Sequence, residues 1–151
     1  MNKEEQRAAI KRLRAVAKNN SNYKRNPFFA RWLQEFVPEL TDTQYRKYIR
    51  KKYIWNAFGY NLIPQENYLE GDAAREAYNK ANKVGAVCLQ LDFEDTPTAL
   101  TEEFDSAEKL EGPDGMYAEF YVVGKDYSWT YIVTHETGMG IGPYFMENKR
   151  F

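Results

Sequence analysis

The sequence feature that most constrains the fold is a pair of alternating stretches, 116–123 and 127–134. In both, large apolar or aromatic residues return at every second position, which is the periodicity of a β-strand. The residues between them, 124–126, begin with Gly, and short loops that contain Gly commonly connect the strands of an antiparallel hairpin. The two stretches therefore predict a β-hairpin, and the glycine-rich loop that follows leads to a returning strand near 143–146.

Helical patterns fill the first half of the chain. Apolar residues that recur three and four positions apart predict four helices, over 3–18, 27–37, 42–58 and 73–83. Two of these helices begin with capping signals, which are Asn26 followed by Pro27, and the capping box formed by Thr41 and Gln44. Beyond the fourth helix, the alternation in 86–93 predicts another strand.

The length and the order of these elements predict a single domain. A chain of 151 residues can bury one sizeable core. We therefore expect one α+β domain over 1–151, helical in 1–83 and mainly β in 84–151. The helical part is expected to pack on one face of an antiparallel sheet of about three to five strands.

Several classes of protein are disfavoured by composition. No apolar run approaches the roughly 18 residues of a membrane-spanning helix, and the first twenty residues are charged throughout, unlike a secretory signal. A single cysteine, Cys88, excludes an internal disulfide framework and a multi-cysteine metal site. The sequence thus predicts a cytoplasmic protein with no membrane segment, no metal and no cofactor.

Opposite charges are divided between the two parts of the chain. Residues 1–53 contain 14 Lys and Arg against 5 Asp and Glu, whereas residues 54–151 contain 7 against 17. Such asymmetry is typical of a protein with an anionic partner. It also arises when the two parts attract each other within the fold, and the sequence favours this second interpretation.

The helix predicted over 42–58 contains the basic candidates for nucleic-acid binding, Arg46, Lys47, Arg50 and Lys51. With the tyrosines of the same helix they suit phosphate contacts combined with stacking on bases. The tyrosines are equally the side chains that this helix needs for core packing, which the spacing favours.

A row of aromatic residues in the second hairpin strand has two interpretations. Tyr127, Trp129 and Tyr131 alternate on one side of the predicted strand. If that side faces the helices, Trp129 is a core anchor, and this is the interpretation we favour. If it faces water, the three rings form an exposed aromatic patch of the kind that binds a protein partner.

The only histidine, His135, lies where the second hairpin strand ends, within Thr134-His135-Glu136. A histidine oriented by a carboxylate acts as a general base, so these residues, with Tyr144 nearby, are the catalytic candidates of a small hydrolase or transferase. Adjacent residues on a strand point to opposite faces, so Glu136 orients His135 only if the strand bends there. The glycines at 138, 140 and 142 lead into a strand rather than a helix, which argues against a phosphate-binding loop.

Three motifs carry a resemblance to a known family. They are Trp55-Asn56-Ala57-Phe58, the stretch from Trp129 to Glu136, and Gly142-Pro143-Tyr144-Phe145. Together they resemble the family of short bacterial proteins known as domain of unknown function DUF4275, whose pattern often has His where this chain has Asn56. The resemblance implies a bacterial source and a shared fold, and it implies no activity.

From the residues alone we expect a non-enzymatic protein-binding or regulatory domain of immunity type, because no complete catalytic set is evident in the sequence. Its aromatic and charged surface would hold a protein partner. The alternatives are the hydrolase or transferase centred on His135, and nucleic-acid binding through the basic helix over 42–58.

Overall fold

The computed structural model describes residues 2–20, 22–91, 94–111 and 119–151, and for residues 13–20 it describes the backbone. The helices of these residues are α1 (Lys3–Asn20), α2 (Pro27–Phe36), α3 (Asp42–Gln44), α4 (Asn56–Gly59), α5 (Asp72–Lys80) and α6 (Ala107–Glu111). The strands are β1 (Tyr68–Glu70), β2 (Val87–Gln90), β3 (Thr98–Ala99), β4 (Phe120–Val123), β5 (Trp129–Val133) and β6 (Tyr144–Glu147). The predicted α+β class is confirmed.

All of these strands belong to one antiparallel sheet with the order β1-β6-β5-β4-β2-β3. The predicted hairpin is present, with Phe120 of β4 opposite Val133 of β5, and the returning strand β6 pairs with β5. The expectation of about three to five strands is wrong, because β1 and β3 extend the sheet to six. These edge strands have three and two residues, which is too short for an alternating pattern to reveal them.

Some predicted strand positions lie outside the described residues. They are positions 116–118 of the first hairpin strand and the last two positions of the strand predicted over 86–93.

Both faces of the sheet are covered. Alternate residues of β5 divide between two core clusters: Trp129 and Tyr131 pack with α5 and α6, whereas Ile132 packs with α2 and the segment 45–63. Every residue of β5 is therefore buried. The expectation that the helical part covers one face is wrong for α5, which belongs to that part and covers the opposite face through its buried residues Ala74 and Tyr78.

Helix α2 is attached to the sheet by a buried hydrogen bond. Its start is the predicted one, since the Asn26 side chain accepts from the Phe28 N–H and Pro27 takes the first helical position. On its buried face the Trp32 indole Nε1 donates to Thr130 Oγ1 at 2.9 Å. That hydroxyl in turn donates to the carbonyl oxygen of Val122 at 3.0 Å, so all three groups are satisfied.

The continuous helix predicted over 42–58 is wrong. The capping box of Thr41 is present and starts α3, but a π-helical turn follows over Tyr45–Ile49, and Lys51 then takes a φ of 61°. The break has a packing reason, because Ile49 and Ile54 are both fully buried. Residues five apart lie about 140° apart around an α-helix, so an unbroken helix would bury one of them and expose the other.

Helix α1 begins at Lys3, as predicted, and extends to Asn20. Its side chains at 3–8 and 10–12 are exposed. The rest of its predicted apolar stripe, at Leu13, Val16 and Ala17, lies outside the described side chains. None of the helices in the described ranges combines the length and the apolar character that a bilayer crossing requires.

Candidate functional site

His135 is held by a carboxylate that the sequence did not single out. Strand β5 ends at Val133, and His135 follows in a turn in which the Thr137 N–H donates to the Thr134 carbonyl oxygen. The ring atom Nδ1 lies 2.5 Å from Oε1 of Glu119. The Glu119 residue is 3% exposed, whereas the His135 side chain is 40% exposed. One side of the imidazole is therefore fixed by a buried acceptor, and the ring remains open to solvent.

Glu119 is a shared acceptor for several donors. It immediately precedes β4, and its Oε1 also accepts a hydrogen bond from the Trp55 indole Nε1 at 3.3 Å. Its Oε2 accepts from the Tyr121 hydroxyl at 3.4 Å. A buried carboxylate is tolerated when such donors surround it, so these contacts explain its place on the apolar face of the sheet.

Two aromatic rings pack against the imidazole. Tyr53 stacks on Trp55 with ring centroids 4.9 Å apart, and the Tyr53 ring is also 4.9 Å from that of His135. Trp55 meets His135 edge to face at 6.2 Å. On the other side of the imidazole, Oε1 of Glu136 lies 3.9 Å from Nε2. The chain does bend after β5, so Glu136 approaches the ring, but Glu119 makes the hydrogen bond.

Tyr53, Trp55 and Glu136 border an open cleft of about 780 Å³. It is lined by Lys51, Lys52, Tyr53, Trp55, Asn56, Gly59, Tyr60, Glu136, Ile141 and Tyr144. His135 is not one of the lining residues, but its ring contacts two of them, Tyr53 and Trp55. The break in the predicted helix 42–58 forms one wall of the cleft, since it turns the residues after Ile49 toward the end of β5.

Each of the three motifs that carried the family resemblance contributes a residue to this cleft. Trp55 contacts His135, and Phe58 stacks on Tyr144 with centroids 4.5 Å apart and planes at 7°. The model of a family described as domain of unknown function (DUF4275) matches residues 9–145. The chain belongs to the DUF4275 family. No curated protein and no solved structure matches it.

One position of this DUF4275 domain differs from the family pattern given above. Asn56 stands where that pattern often has His, and it lines the cleft. Its side-chain amide donates to the Tyr48 carbonyl oxygen at 2.8 Å. In this chain the residue therefore connects α4 to the π-helical turn, and His135 is the imidazole of the site.

Of the other catalytic candidates, Thr134 has a structural environment and Tyr144 borders the cleft. Thr134 is buried, and its hydroxyl donates to the Ile141 carbonyl oxygen at 3.0 Å while accepting from the Glu136 N–H. These bonds shape the turn that presents His135. Burial raises the pKa of the Tyr144 hydroxyl, with a further rise from the charge of Glu70, so that this residue stays neutral at physiological pH.

The predicted aromatic row does not form a surface. Trp129 and Tyr131 are buried in the cluster around α5, and Tyr131 stacks on Tyr78 with centroids 4.2 Å apart. Tyr127 precedes β5 and packs on the opposite face of the sheet, where its hydroxyl donates to the Phe28 carbonyl oxygen. These three rings belong to the core and lie away from the cleft.

The predicted basic candidates remain on the surface. Arg46, Lys47, Arg50 and Lys51 are exposed, as is Lys52. Lys51 and Lys52 line the cleft, while Arg46 and Arg50 line a neighbouring cleft of about 320 Å³ beside Tyr45. We refer to these five cations as the basic segment.

The basic segment has weak acidic contacts in the described part of the chain, where the hydrogen bond from Lys24 and, less strongly, the charge of Arg46 lower the pKa of Asp42. Among the described side chains, none of its five members forms an ion pair with a carboxylate. Direct contacts between the described side chains do not account for the expected attraction between the two oppositely charged parts of the chain. Of the ion pairs in the described residues, only Arg150 with Glu35 joins the two parts, and there the acidic residue belongs to the basic part.

Sequence reasoning missed Glu119, Tyr53, Lys52 and Tyr60 as site residues. Glu119 had a recognisable signal, since it is a carboxylate on the same predicted strand face as Tyr121 and Val123. Cys88 is buried on the far side of the sheet. Within the described residues no group of three or more His, Cys, Asp or Glu is arranged to hold a metal ion.

Proposed function

We propose that the domain is a small hydrolase or transferase in which His135 is the general base. The contact between its Nδ1 and the buried Glu119 carboxylate supports this proposal. An ionised carboxylate can only accept hydrogen bonds, so Nδ1 is the donor and Nε2 is the atom that takes a proton from the nucleophile. When Nε2 gains that proton, the negative charge of Glu119 stabilises the resulting imidazolium.

The cleft narrows the choice of nucleophile. None of the residues lining it in the described part of the chain is Ser, Thr or Cys, so a covalent intermediate on one of these three side chains is not proposed. The nucleophile is a water molecule or a hydroxyl group of the substrate. Tyr53 and Trp55 keep the imidazole in one orientation, and Lys51 and Lys52 favour a substrate with negative charge.

An activity screen tests this proposal. The purified chain would be assayed near pH 7 against chromogenic carboxyl esters, phosphomonoesters and phosphodiesters. We expect turnover of at least one class, and His135→Ala should lower it by about 10²–10⁴-fold. Glu119→Gln should lower the turnover number more than it raises the Michaelis constant. Glu147→Gln, an exposed carboxylate of β6, is the matched control. Turnover that survives His135→Ala would contradict the proposal.

A second proposal is the non-enzymatic protein-binding or regulatory domain of immunity type, in a bacterial cytoplasm. The unpaired basic segment and the exposed rings of Tyr53 and Tyr60, which are 39% and 56% exposed, support it. The partner would be a protein with an acidic surface. Its test is affinity purification from native cells with the wild-type chain and with Lys51→Glu/Lys52→Glu. Recovery of the same stoichiometric partner by both chains, or of none by the wild type, would count against it.

A further inference from the structure

We propose that the substrate of the His135 site is single-stranded RNA, cleaved by its own 2′-hydroxyl. This inference rests on the proposed acid–base function and names the chemical class on which it acts. It is drawn from the charge of the basic segment, from the exposed rings beside it and from the residue types that line the cleft.

The charge of the basic segment favours an anionic ligand of some length. Its five cations fall within seven consecutive residues, all exposed and without a carboxylate partner among the described side chains. The carboxylates near them are few: Asp42 is paired with Lys24, and Glu136 faces His135. A chain of phosphates spaced along the segment would neutralise these cations and release their counterions.

The basic segment contributes residues to two clefts. The two clefts of about 780 and 320 Å³ are both lined by residues of the 45–53 segment. In the same segment, the Lys47 ammonium lies 5.2 Å from the centroid of the Tyr48 ring. Tyr48 in turn stacks on Tyr60 at 4.8 Å, and Tyr60 lines the larger cleft. Cations and rings of this part of the chain are thus presented to both clefts, and Tyr53 of the larger cleft contacts the His135 ring.

Exposed rings of the larger cleft favour unpaired bases. Tyr53 and Tyr60 are two of the seven large hydrophobic side chains that are exposed in the described residues, and both line the larger cleft. Proteins that bind single strands combine a basic groove with aromatic side chains on which bases stack. In a duplex the bases stack on one another, so they would not be available to stack on Tyr53 and Tyr60.

The lining of the cleft is compatible with a substrate that carries its own hydroxyl nucleophile, as RNA does and DNA does not. Because no Ser, Thr or Cys lines it, a substrate that brings its own nucleophile suits the site. In the proposed step, His135 Nε2 removes the proton of a ribose 2′-hydroxyl, the 2′-oxygen forms a bond to phosphorus, and the bond from phosphorus to the 5′-oxygen breaks. The 5′-oxygen takes a proton from solvent. The products are a 2′,3′-cyclic phosphate and a 5′-hydroxyl, and no further reactant is consumed.

The test uses three fluorescently labelled oligonucleotides of one sequence: RNA, DNA, and DNA with a single internal ribonucleotide. We expect all three to bind with an affinity that falls steeply with salt. Only the RNA and the chimera should be cleaved, the chimera on the 3′ side of its ribonucleotide, with a cyclic phosphate end. His135→Ala should bind as the wild type does and should lose about 10²–10⁴-fold in cleavage rate.

Matched charge reversals separate binding from chemistry. Lys51→Glu/Lys52→Glu should weaken binding of all three oligonucleotides and lower the slope of log affinity against log salt by about 2. Lys125→Glu/Lys149→Glu changes the net charge equally at two exposed lysines outside the cleft, and should leave binding and cleavage unchanged. Equal effects of the two double variants would overturn the proposed binding surface.

The outcomes also distinguish this inference from the proposed function. If RNA is not retained at low salt while His135→Ala abolishes turnover of another substrate class, the RNA proposal fails and the acid–base site remains. If RNA is bound and not cleaved, RNA is a ligand and the substrate proposal fails. If cleavage persists in His135→Ala, both the RNA mechanism and the general base are wrong.

Discussion

Glu119 and His135 are separated by 16 residues in the sequence and are joined by a hydrogen bond of 2.5 Å between Oε1 and Nδ1. The pairing of β4 with β5 brings them together, since Glu119 precedes one strand and His135 follows the other. The same Glu119 oxygen also accepts from Trp55. The Glu119 carboxylate therefore connects Trp55, from the helical part of the chain, with His135 at the end of the hairpin.

The hydrogen bond between Glu119 and His135 predicts which ring nitrogen of the neutral imidazole carries the proton. Because Glu119 only accepts, Nδ1 should bear the proton and Nε2 should be unprotonated. With one histidine in the sequence, long-range ¹H–¹⁵N correlation spectra give this directly at a pH where the ring is neutral. Glu119→Gln should weaken the preference, while Glu136→Gln should preserve it. A neutral ring with its proton on Nε2 in the wild type would contradict the prediction.

Trp129→Ala should destabilise the domain strongly. The indole is 7% exposed, stacks on Phe145 at 5.7 Å and donates to the Asn82 carbonyl oxygen at 3.2 Å. Loss of such a core ring costs about 3–5 kcal/mol, which should lower the melting temperature by about 10 °C. Tyr60→Ala, at an exposed ring, is the control and should change it little. An unchanged melting temperature in Trp129→Ala would refute its role in the core.

A smaller change at the same indole should also be destabilising. A Cβ atom added at Gly124 would overlap the Trp129 ring, so only Gly leaves room for it. Gly124→Ala should displace the indole and lower the melting temperature, with a change in the near-ultraviolet circular dichroism. Gly59→Ala adds a Cβ where the described structure has open space, and it should not reproduce this change.

Thr130→Val should lower the free energy of unfolding, although the two side chains have nearly the same size. The substitution preserves the shape of the side chain but removes the acceptor of the Trp32 Nε1 bond and the donor to the Val122 carbonyl oxygen. A buried donor left without a partner costs about 1–3 kcal/mol. Denaturant unfolding measures this, and Thr98→Val, at an exposed position of β3, is the control. Equal stabilities of the two variants would show that the Trp32 bond contributes nothing.

The Cys88 thiol should be a reporter of unfolding. Burial, with a smaller effect of the Glu94 charge, raises the pKa of Cys88 to about 12, so the reactive thiolate is scarce in the folded state at pH 8. Disulfide reagents should react only as denaturant unfolds the chain. Because the pKa is raised in the folded state, the neutral thiol contributes to the stability of the fold. This contribution is complete below the ordinary thiol pKa of about 8.5. It is lost as the pH rises from there toward 12. Rapid native-state reaction at pH 8 would contradict the burial.

The elements that the sequence predicted are those whose information is local. The caps at Asn26 and Thr41 are hydrogen bonds between residues two and three positions apart, and the hairpin follows from alternation around a turn. The helix over 42–58 could not be predicted correctly, because its break depends on burying both Ile49 and Ile54 in one core. The residue types of that segment by themselves favour an unbroken helix.

By itself, the sequence determined the α+β class, the hairpin, the family and the position of the only imidazole at a strand end. Tertiary structure decided which carboxylate holds that imidazole, because strand pairing and a turn, rather than sequence adjacency, set the distance from His135 to Glu119. Tertiary structure also decided that the basic segment has no ion-pair partner among the described side chains. The net charges of the two parts of the chain determine their overall attraction, whereas packing determines which charged groups come within contact distance.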